Sequence, residues 1–329
     1  ANISALSQFY EEHPEYAALP RQVEEGVLQR LDWAFTAFFR RTKAGEVAGY
    51  PRFKGRDRYD SFGADHGPGH GWSLNGKHLR VRDQLFRVSF HRPLPKGAPI
   101  LGFRVKREGT KWYICFVLDL GPAPEKRPVT SAVGIDLGIT TFATLSDRTE
   151  IKNPRRLAAN LGKLAAAQRV VAQKPKQRSA RRARAKAIVA RLHQKVRDQR
   201  REFLHAVSRK LVGTYDLIAH EALEVKRMLK RGETTPRAVV GLHRGIADAA
   251  WGQFIGYLTY KAEEAGTWMV PVDPRGTTAT CSRCGRHKPK GLGERQHACP
   301  CGYVASRDLN AAHNVFDRGV RSAREAGAS

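Results

Sequence analysis

A cluster of cysteines near the C-terminal end is the sequence feature with the strongest consequence for the fold. Cys281 and Cys284 form a C-x2-C pair, and a short loop later Cys299 and Cys301 form a C-x-C pair. Zinc takes four soft ligands in a tetrahedron, and two close pairs of thiolates provide them. We therefore expect a structural zinc ion held by these four side chains in a zinc ribbon that spans residues 276–305.

Two alternatives to this ligand set follow from the same residues. The C-x-C pair is shorter than the usual zinc knuckle, so His297 or His287 is a candidate to replace one thiolate. The pairs could instead carry out redox chemistry, but the basic loop from Arg286 to Gln296 favours a ribbon that faces nucleic acid. No open ligand position is evident, which disfavours a catalytic zinc. The fifth cysteine, Cys115, is expected in the core of a predicted strand.

The order of the remaining elements indicates an α/β fold. Residues 20–41 have the apolar spacing of a helix, and a period of two between Trp72 and Leu120 predicts a small antiparallel β module. Loops are expected at 49–55 and 63–71. Further along, the pattern predicts strands at 133–136, 142–145 and 150–151, basic helices over 155–212, a strand at 216–220, a helix over 246–265, a strand at 267–272 and a last helix over 308–320. This is the order of an RNase H-like fold.

Three acidic residues stand at the ends of these elements. Asp136 ends the first strand of this region, Glu221 ends the fourth, and Asp308 opens the last helix. Hydrolysis of a phosphodiester requires an activated water and neutralised charge on the attacking and leaving oxygens, and two cations bound by carboxylates supply both. Singly, each acid is an ordinary turn or N-cap residue. Together, in this order, they predict a magnesium-dependent catalytic site.

Two further acids lie near these positions. Glu224 and Asp248 are expected on solvated surfaces, with Glu224 close enough to Glu221 to act as a substitute ligand.

The charge of the chain points to a polyanionic partner. Its 329 residues contain 58 Lys and Arg against 31 Asp and Glu, a net charge of +27. The 41% hydrophobic and 9% aromatic content excludes a disordered basic tail. Residues 152–210 hold 19 Lys and Arg against Asp198 and Glu202, a local charge of +17. Such a surface binds phosphates without reading sequence. The predicted nucleic-acid contacts are Arg52, Lys54, Arg178, Arg181, Arg182, Arg184 and Lys186.

The chain has no run of apolar residues long enough for a membrane span and no basic start followed by an apolar stretch. We therefore expect no membrane association and a cytoplasmic, nucleoid-associated location. The oligomeric state stays open, with a monomer favoured.

The motifs together resemble those of a known family. Gly134–Ile139 (GIDLGI), Glu221, Cys281–Gly285 (CSRCG), Arg307–Ala312 (RDLNAA) and Gly49–Gly55 (GYPRFKG) are similar to the transposon-encoded TnpB (OrfB) proteins, which are related to type V CRISPR effector nucleases. The similarity covers nearly the whole chain.

The resemblance implies an RNA-guided DNA endonuclease with one RuvC-like site. The partners would be a guide RNA derived from the transposon end and a double-stranded DNA target, with sequence chosen by base pairing. Asp136, Glu221 and Asp308 would bind magnesium, and the four clustered cysteines would bind zinc. Two departures stand out: Ala222 occupies a position where the family commonly has Asp, and the family usually begins with a strand and helices upstream of Ala1, so we expect an N-terminal segment to be missing.

The predicted organisation has five parts. They are a helical segment with a basic loop at 1–71, an antiparallel β module at 72–128, a RuvC-like nuclease domain at 129–275 with its basic helical insertion at 155–212, the zinc ribbon at 276–305, and the final nuclease-domain helix and tail at 306–329.

Two other functions remain open from the sequence. One is a non-catalytic transposon accessory protein or repressor that binds nucleic acid through the same basic surface and acidic site without cutting it. The other is a transposase that transfers DNA strands, for which joined products would be the distinguishing observation.

Overall fold

The computed structural model describes residues 5–14, 21–52, 55, 59–174, 179–230, 236–291 and 293–328. The chain divides into two compact units, Ala1–Pro122 and Ala123–Ser329.

The first unit combines helices with two small antiparallel sheets. Its elements are α1 (Ala5–Glu12), α2 (Arg21–Lys43), β1 (Ser61–Ala64), β2 (Trp72–Asn75), β3 (His78–Val81), β4 (Gln84–Arg87), β5 (Ile100–Glu108) and β6 (Lys111–Leu118). The strand orders are β1-β5-β6 and β2-β3-β4. Trp72, Leu79 and Phe103 are buried together in one core, because alternate side chains of each strand point to the same face.

Two sequence predictions for this unit are wrong. Gly63, predicted in a loop, lies in β1, where a Cβ would come within 2.3 Å of the Phe103 carbonyl oxygen. Only glycine fits this close approach. A four-residue strand with glycine at one position shows no recognisable alternation of apolar and polar residues. Cys115 is exposed on β6 rather than buried, because the β6 residues that pack against the core are Ile114 and Phe116.

The second unit is built on one mixed sheet. It contains β7 (Ala132–Leu137), β8 (Thr141–Leu145), β9 (Glu150–Lys152), α3 (Arg156–Ala172), α4 (Ala180–Thr214), β10 (Leu217–Glu221), α5 (Val225–Met228), α6 (Arg237–Ala249), α7 (Trp251–Glu264), β11 (Trp268–Val272), β12 (Gln296–Ala298), β13 (Val304–Ser306) and α8 (Arg307–Glu325). The five-stranded order is β11-β10-β7-β8-β9. β10 runs parallel to β7 and β11, and β8 runs antiparallel to both of its neighbours.

Helices cover both faces of this sheet. Val133 and Ile135 of β7 pack with Phe254 of α7 on one face, in a core to which α4 also contributes. Ala219 of β10 packs with Val315 of α8 on the other face. Since side chains alternate along a strand, each central strand presents one set of residues to α4 and α7 and the other set to α8.

The helix predicted over residues 246–265 is in fact two helices. Ala250 adopts the left-handed conformation (φ 54°, ψ 44°) and separates α6 from α7. The apolar pattern continues through this break because Ile246 and Phe254 enter the same core, and alanine carries no sequence mark of a helix end. Of the helices in the described ranges, none combines the length and apolarity needed to cross a bilayer.

Candidate metal centres and nucleic-acid surface

The sheet places Asp136 beneath α8. Asp136 is buried near the end of β7, on the same face as Gly134 because the two residues are two positions apart. A Cβ on Gly134 would lie 2.3 Å from the Ala312 carbonyl oxygen and 2.4 Å from the Phe316 amide nitrogen of α8. The glycine therefore allows α8 to approach β7 closely, and the carboxylate comes to lie beside the start of that helix.

Glu221 is the last residue of β10 and is buried on the neighbouring strand. The hydroxyl of Thr277 donates a hydrogen bond of 2.6 Å to its Oε1. The Arg318 guanidinium of α8 contributes favourable electrostatics to the same carboxylate. That guanidinium is itself anchored, since it donates to the carbonyl oxygens of Asp273 and Arg275 at 2.7 and 2.9 Å.

Asp308 enters the site from the first turn of α8. Ser306 is the N-cap of this helix, with its hydroxyl accepting a hydrogen bond from the Leu309 amide at 3.1 Å. The Nε atom of Arg307 lies 3.8 Å from Asp308 Oδ1. A carboxylate in the first helical turn is favoured by the helix dipole. Asp308 is half-buried, less deeply than Asp136 and Glu221.

The three carboxylates influence one another electrostatically. Burial raises the pKa of Asp136 well above its ordinary value, and the charges of Glu221 and Asp308 raise it further, while Arg307 opposes them. Burial also raises the pKa of Glu221, opposed by the Thr277 hydrogen bond and by Arg318. Like charges held together in a buried place bind protons or cations to reduce their repulsion. This donor set of hard oxygens suits magnesium.

The carboxylates are more widely spaced than the ligands of a single ion. Within the described parts of the chain, the four cysteines are the one set of three or more His, Cys, Asp and Glu side chains that gather closely enough for that. Two cations about 3.5–4 Å apart would be held by carboxylates distributed over a wider area.

The two spare acids lie outside this group. Glu224 is exposed, and its carboxylate lies 3.6 Å from Arg227. The prediction of a solvated surface is wrong for Asp248, whose carboxylate accepts hydrogen bonds from the Leu157 and Ala158 amides at the start of α3. It performs the capping that the helix lacks locally, because Arg155 at the N-cap makes no side-chain cap bond.

All four predicted cysteine ligands come together. Their sulfur atoms lie within 4.8 Å of one another, with 3.8 Å between Cys281 and Cys301 and 3.5 Å between Cys284 and Cys299. Tetrahedral zinc with bonds of about 2.3 Å would place its sulfur ligands about 3.8 Å apart, whereas a disulfide needs about 2 Å. These separations fit a zinc ion and exclude disulfides between these pairs in this structure.

Two glycines allow the backbone to turn sharply after each cysteine pair, so that all four sulfur atoms face one another. Gly285 and Gly302 follow the second cysteine of each pair and have φ of 74° and 83°, a conformation that favours glycine. The shorter C-x-C pair therefore reaches the cluster as well as the C-x2-C pair does.

Neither histidine alternative is needed to complete the ligand set. His287 is exposed. His297 is fully buried, and neither of its ring nitrogens makes a hydrogen bond within the described part of the chain. The four thiolates by themselves complete the tetrahedral ligand set that zinc takes.

The predicted nucleic-acid contacts differ in their surroundings. Arg52, Arg181, Arg184 and Lys186 are exposed. Arg182 is instead engaged within the α3–α4 hairpin, where its Nη1 donates to the carbonyl oxygens of Val171 and Lys174 at the end of α3. Lys54 and Arg178 lie outside the described residues.

Sequence reasoning missed several buried polar residues that organise the site. Thr277, Asn310 and Asn314 are all buried and hydrogen-bonded around the cysteine knuckle. The i, i+4 spacing of the two asparagines beside small alanines was a detectable sign of a close polar contact on one helix face. Thr277 carries no such sign, since its partner Glu221 is far away in the chain.

Two protein-family models match parts of this chain. The model of the OrfB_IS605 family, described as a probable transposase, matches residues 114–232, and that of the Cas12f1-like TNB domain matches residues 251–315. A protein of Streptomyces pristinaespiralis named "Putative RNA-guided DNA endonuclease" is 34% identical over 312 residues, covering 93% of this chain and 72% of that one.

Two further matches extend over most of the chain. The Escherichia coli K12 protein InsQ, which bears the same description, is 30% identical over 310 residues, covering 91% of this chain and 75% of the relative. The Cas12f1 chain solved by cryo-EM with its sgRNA and target DNA has a similar fold, with a TM-score of 0.55, 14% identity, and coverage of 96% of this chain and 76% of that one. Because its identity to the first relative extends over most of both sequences, this chain belongs to the OrfB (TnpB) family of transposon-associated proteins.

Proposed function

We propose that this protein is an RNA-guided DNA endonuclease. Its catalytic site, which hydrolyses DNA phosphodiester bonds, would be formed by Asp136, Glu221 and Asp308. The observation that carries the proposal is the approach of three carboxylates from β7, β10 and α8, close enough to raise the pKa of Asp136 through their charge. The descriptions of the two relatives support the same activity.

The fold assignment that accompanies this function is an RNase H-like, RuvC-like domain. The strand order β11-β10-β7-β8-β9, with an antiparallel pair of hairpin strands at one end and parallel strands at the other, supports it. We keep the proposed boundaries at 129–275 for this domain, 276–305 for the zinc ribbon and 306–329 for the closing helix. For the first unit the proposed boundaries are 1–71 for the helical segment and 72–128 for the β module, and β1 of the former pairs with β5 of the latter.

Magnesium is the cation we propose for the carboxylate site, held by Asp136, Glu221 and Asp308. Bound there, it would activate a water molecule and neutralise charge on the scissile phosphate. The protein's own residues prepare the site: β7 and β10 hold two carboxylates in a buried place, and Thr277 orients one of them. Zinc in the cysteine cluster would have a structural role, since its four ligands leave no open position.

The proposed partners are a guide RNA and double-stranded target DNA. Support comes from the excess of positive charge in residues 152–210 and from the exposure of Arg181, Arg184 and Lys186 on α4. The partners named for the Cas12f1 structure are also an RNA and a target DNA. Contacts of this kind hold the backbone and leave sequence selection to base pairing. We propose a cytoplasmic location at the nucleoid.

The test uses the RNA that copurifies with the protein. That RNA is sequenced and retranscribed, and the complex is incubated with plasmids carrying a matched target and a randomised flanking sequence, with magnesium. We expect cleavage of matched plasmids only, and its loss in Asp136→Asn with target binding retained. Binding without cleavage by the natural protein would favour the accessory or repressor function. Joined DNA products would favour strand transfer, and cleavage unchanged by Asp136→Asn would overturn the proposed site.

A further inference from the structure

A chain of buried hydrogen bonds connects the cysteine cluster with Glu221. Thr277 lies at its centre, 2% exposed, between the end of β11 and the first cysteine pair. Its hydroxyl is 2.6 Å from Glu221 Oε1 and 3.0 Å from the Pro274 carbonyl oxygen. The hydroxyl has one proton, and both neighbours are acceptors, so the shorter contact to the carboxylate takes it.

Two asparagines of α8 hold the backbone around Thr277. The Asn314 side-chain amide donates to the carbonyl oxygens of Thr277 and Thr280, both at 2.7 Å. The Asn310 amide donates to the Thr280 carbonyl oxygen at 2.8 Å, and its Oδ1 accepts from the Ser282 amide at 3.0 Å. Asn310 is 0% exposed and Asn314 is 8% exposed. A buried amide without partners costs free energy, so these contacts hold the segment firmly against α8.

The connected residues span both candidate metal centres. Ser282 lies between Cys281 and Cys284, while Asn310 is two residues after Asp308. The helix α8 thus carries Asp308, one of the proposed magnesium ligands, and also binds the first cysteine pair through Asn310. The segment that leads to this pair contains Thr277, whose hydroxyl contacts Glu221, a second proposed ligand. Displacement of the knuckle would move Thr277 relative to Glu221.

We propose that Thr277 is a positioning residue for Glu221, and that Asn310 and Asn314 couple the position of Thr277 to the cysteine cluster. The inference rests on the proposed function, because Glu221 is there a cation ligand. The hydrogen bond occupies one lone pair of Oε1 and restricts rotation of the carboxylate, so its remaining lone pairs keep a defined direction for a cation. A carboxylate preoriented in this way loses less conformational entropy when it binds an ion than one that rotates freely.

The test compares Thr277→Val, which keeps the shape but removes the hydroxyl, with Thr277→Ser, which keeps the hydroxyl. Thr259→Val is the control, since Thr259 is exposed on α7 and its hydroxyl bonds within that helix, to the Ile255 carbonyl oxygen. Zinc content and thermal unfolding are measured first. Manganese is then titrated into each protein without nucleic acid, and the unbound ion is followed by electron paramagnetic resonance.

We expect Thr277→Val to bind manganese about tenfold more weakly, in line with loss of a hydrogen bond to a charged group. Thr277→Ser should lie within about twofold of the natural protein by the same reasoning, and Thr259→Val should match it. Asn314→Leu should also weaken binding, and its effect should be smaller in the Thr277→Val background, because both changes break one connected path. If Thr277→Val lowers zinc content, Thr277→Ala replaces it, since alanine places no methyl groups against the carboxylate.

Manganese binding by Thr277→Val equal to that of the natural protein would overturn the inference, as would equal impairment of Thr277→Ser. The proposed function fails separately: a natural protein that binds manganese but cuts no matched DNA would refute the nuclease and leave the role of Thr277 in ion binding intact. Normal cleavage by the natural protein, with no effect of Thr277→Val on ion binding or rate, would refute only the inference.

Discussion

The four cysteines lie between residues 281 and 301, whereas the three carboxylates are spread from residue 136 to residue 308. The cysteines lie on two turns, each completed by a glycine, that bring four sulfur atoms within 4.8 Å. The carboxylates interact only because a helix packs closely against the sheet that carries two of them. A site encoded locally depends on few residues, while a site built from distant elements depends on the packing of the whole unit.

The comparison also concerns stability. Zinc binding to the four thiolates is favourable and lowers the free energy of the folded protein. This centre is therefore expected to stabilise the fold. The carboxylates repel one another in a buried place, so their centre is expected to reduce stability until a cation binds. Variants of the two centres should therefore change stability in opposite directions.

The largest effect is expected from Cys281→Ser. Loss of one ligand should release the zinc and lower the free energy of unfolding by several kcal/mol, because zinc binding contributes directly to folding. Metal analysis and thermal unfolding measure both effects. Cys115→Ser is the matched control, since Cys115 is exposed on β6 and outside the cluster. Full zinc content in Cys281→Ser would mean that another residue, such as His297, completes the site.

The next effect is expected from Gly134→Ala, which tests the distant assembly of the carboxylates. The added Cβ would press against the Ala312 carbonyl oxygen and the Phe316 amide of α8, which cannot both move without lifting the helix. We expect a loss of about 1–3 kcal/mol in the free energy of unfolding, typical of overpacking, and weaker manganese binding. Zinc content should stay normal.

Gly162→Ala serves as its control, because a Cβ at this position of α3 meets no atom within 4 Å. Alanine there should be neutral or should stabilise the helix by about 0.5–1 kcal/mol. Equal stability of Gly134→Ala and the natural protein would show that α8 does not depend on close approach to β7.

A smaller and opposite effect is expected from Asp136→Asn. Burial and the charges of Glu221 and Asp308 raise the pKa of Asp136, so its ionised form is disfavoured in the folded protein. The neutral amide should stabilise the protein by about 1 kcal/mol, a common gain when a strained active site is relieved. This gain is full above the folded pKa of Asp136 and shrinks as the pH falls below it. It vanishes below the ordinary pKa of an aspartate, where the natural side chain is neutral in both the folded and the unfolded chain.

Thermal unfolding of both proteins between pH 5 and pH 8, with no added magnesium, measures this difference. Asp83→Asn is the control, since Asp83 is an exposed turn residue. A gain that grows as the pH falls would contradict the assigned cause of the shift.

The smallest effect concerns the basic surface. Replacing Arg181 and Arg184 with alanine should reduce the salt dependence of binding to a labelled DNA duplex, by about 0.9 in slope for each phosphate that is no longer neutralised. Stability should change little, because both side chains are exposed. Arg182→Ala is the matched comparison: it should leave the slope nearly unchanged and destabilise the α3–α4 hairpin, where its guanidinium binds the end of α3. The reverse result would restore Arg182 as a phosphate-binding residue.

Much of the second unit could be predicted from sequence because its elements follow local rules. Short apolar strands, long basic helices and an N-capped final helix each have a pattern that is read within a few turns. The α6–α7 break at Ala250, and in the first unit the strand around Gly63, could not be read in this way. The break and the strand both depend on contacts with residues far away in the chain. No local sequence pattern around Ala250 or Gly63 marks a helix end or a strand.

The sequence by itself determined the cysteine cluster, the excess of positive charge and the residue types that stand at the strand and helix ends, since each depends on spacing or composition along the chain. Only the tertiary structure decided that Arg182 serves the hairpin and that Asp248 caps α3. It alone also brought Thr277 to Glu221. The reason is physical: a hydrogen bond between residues far apart in the chain depends on how sheets and helices pack, and packing is a property of the whole folded unit.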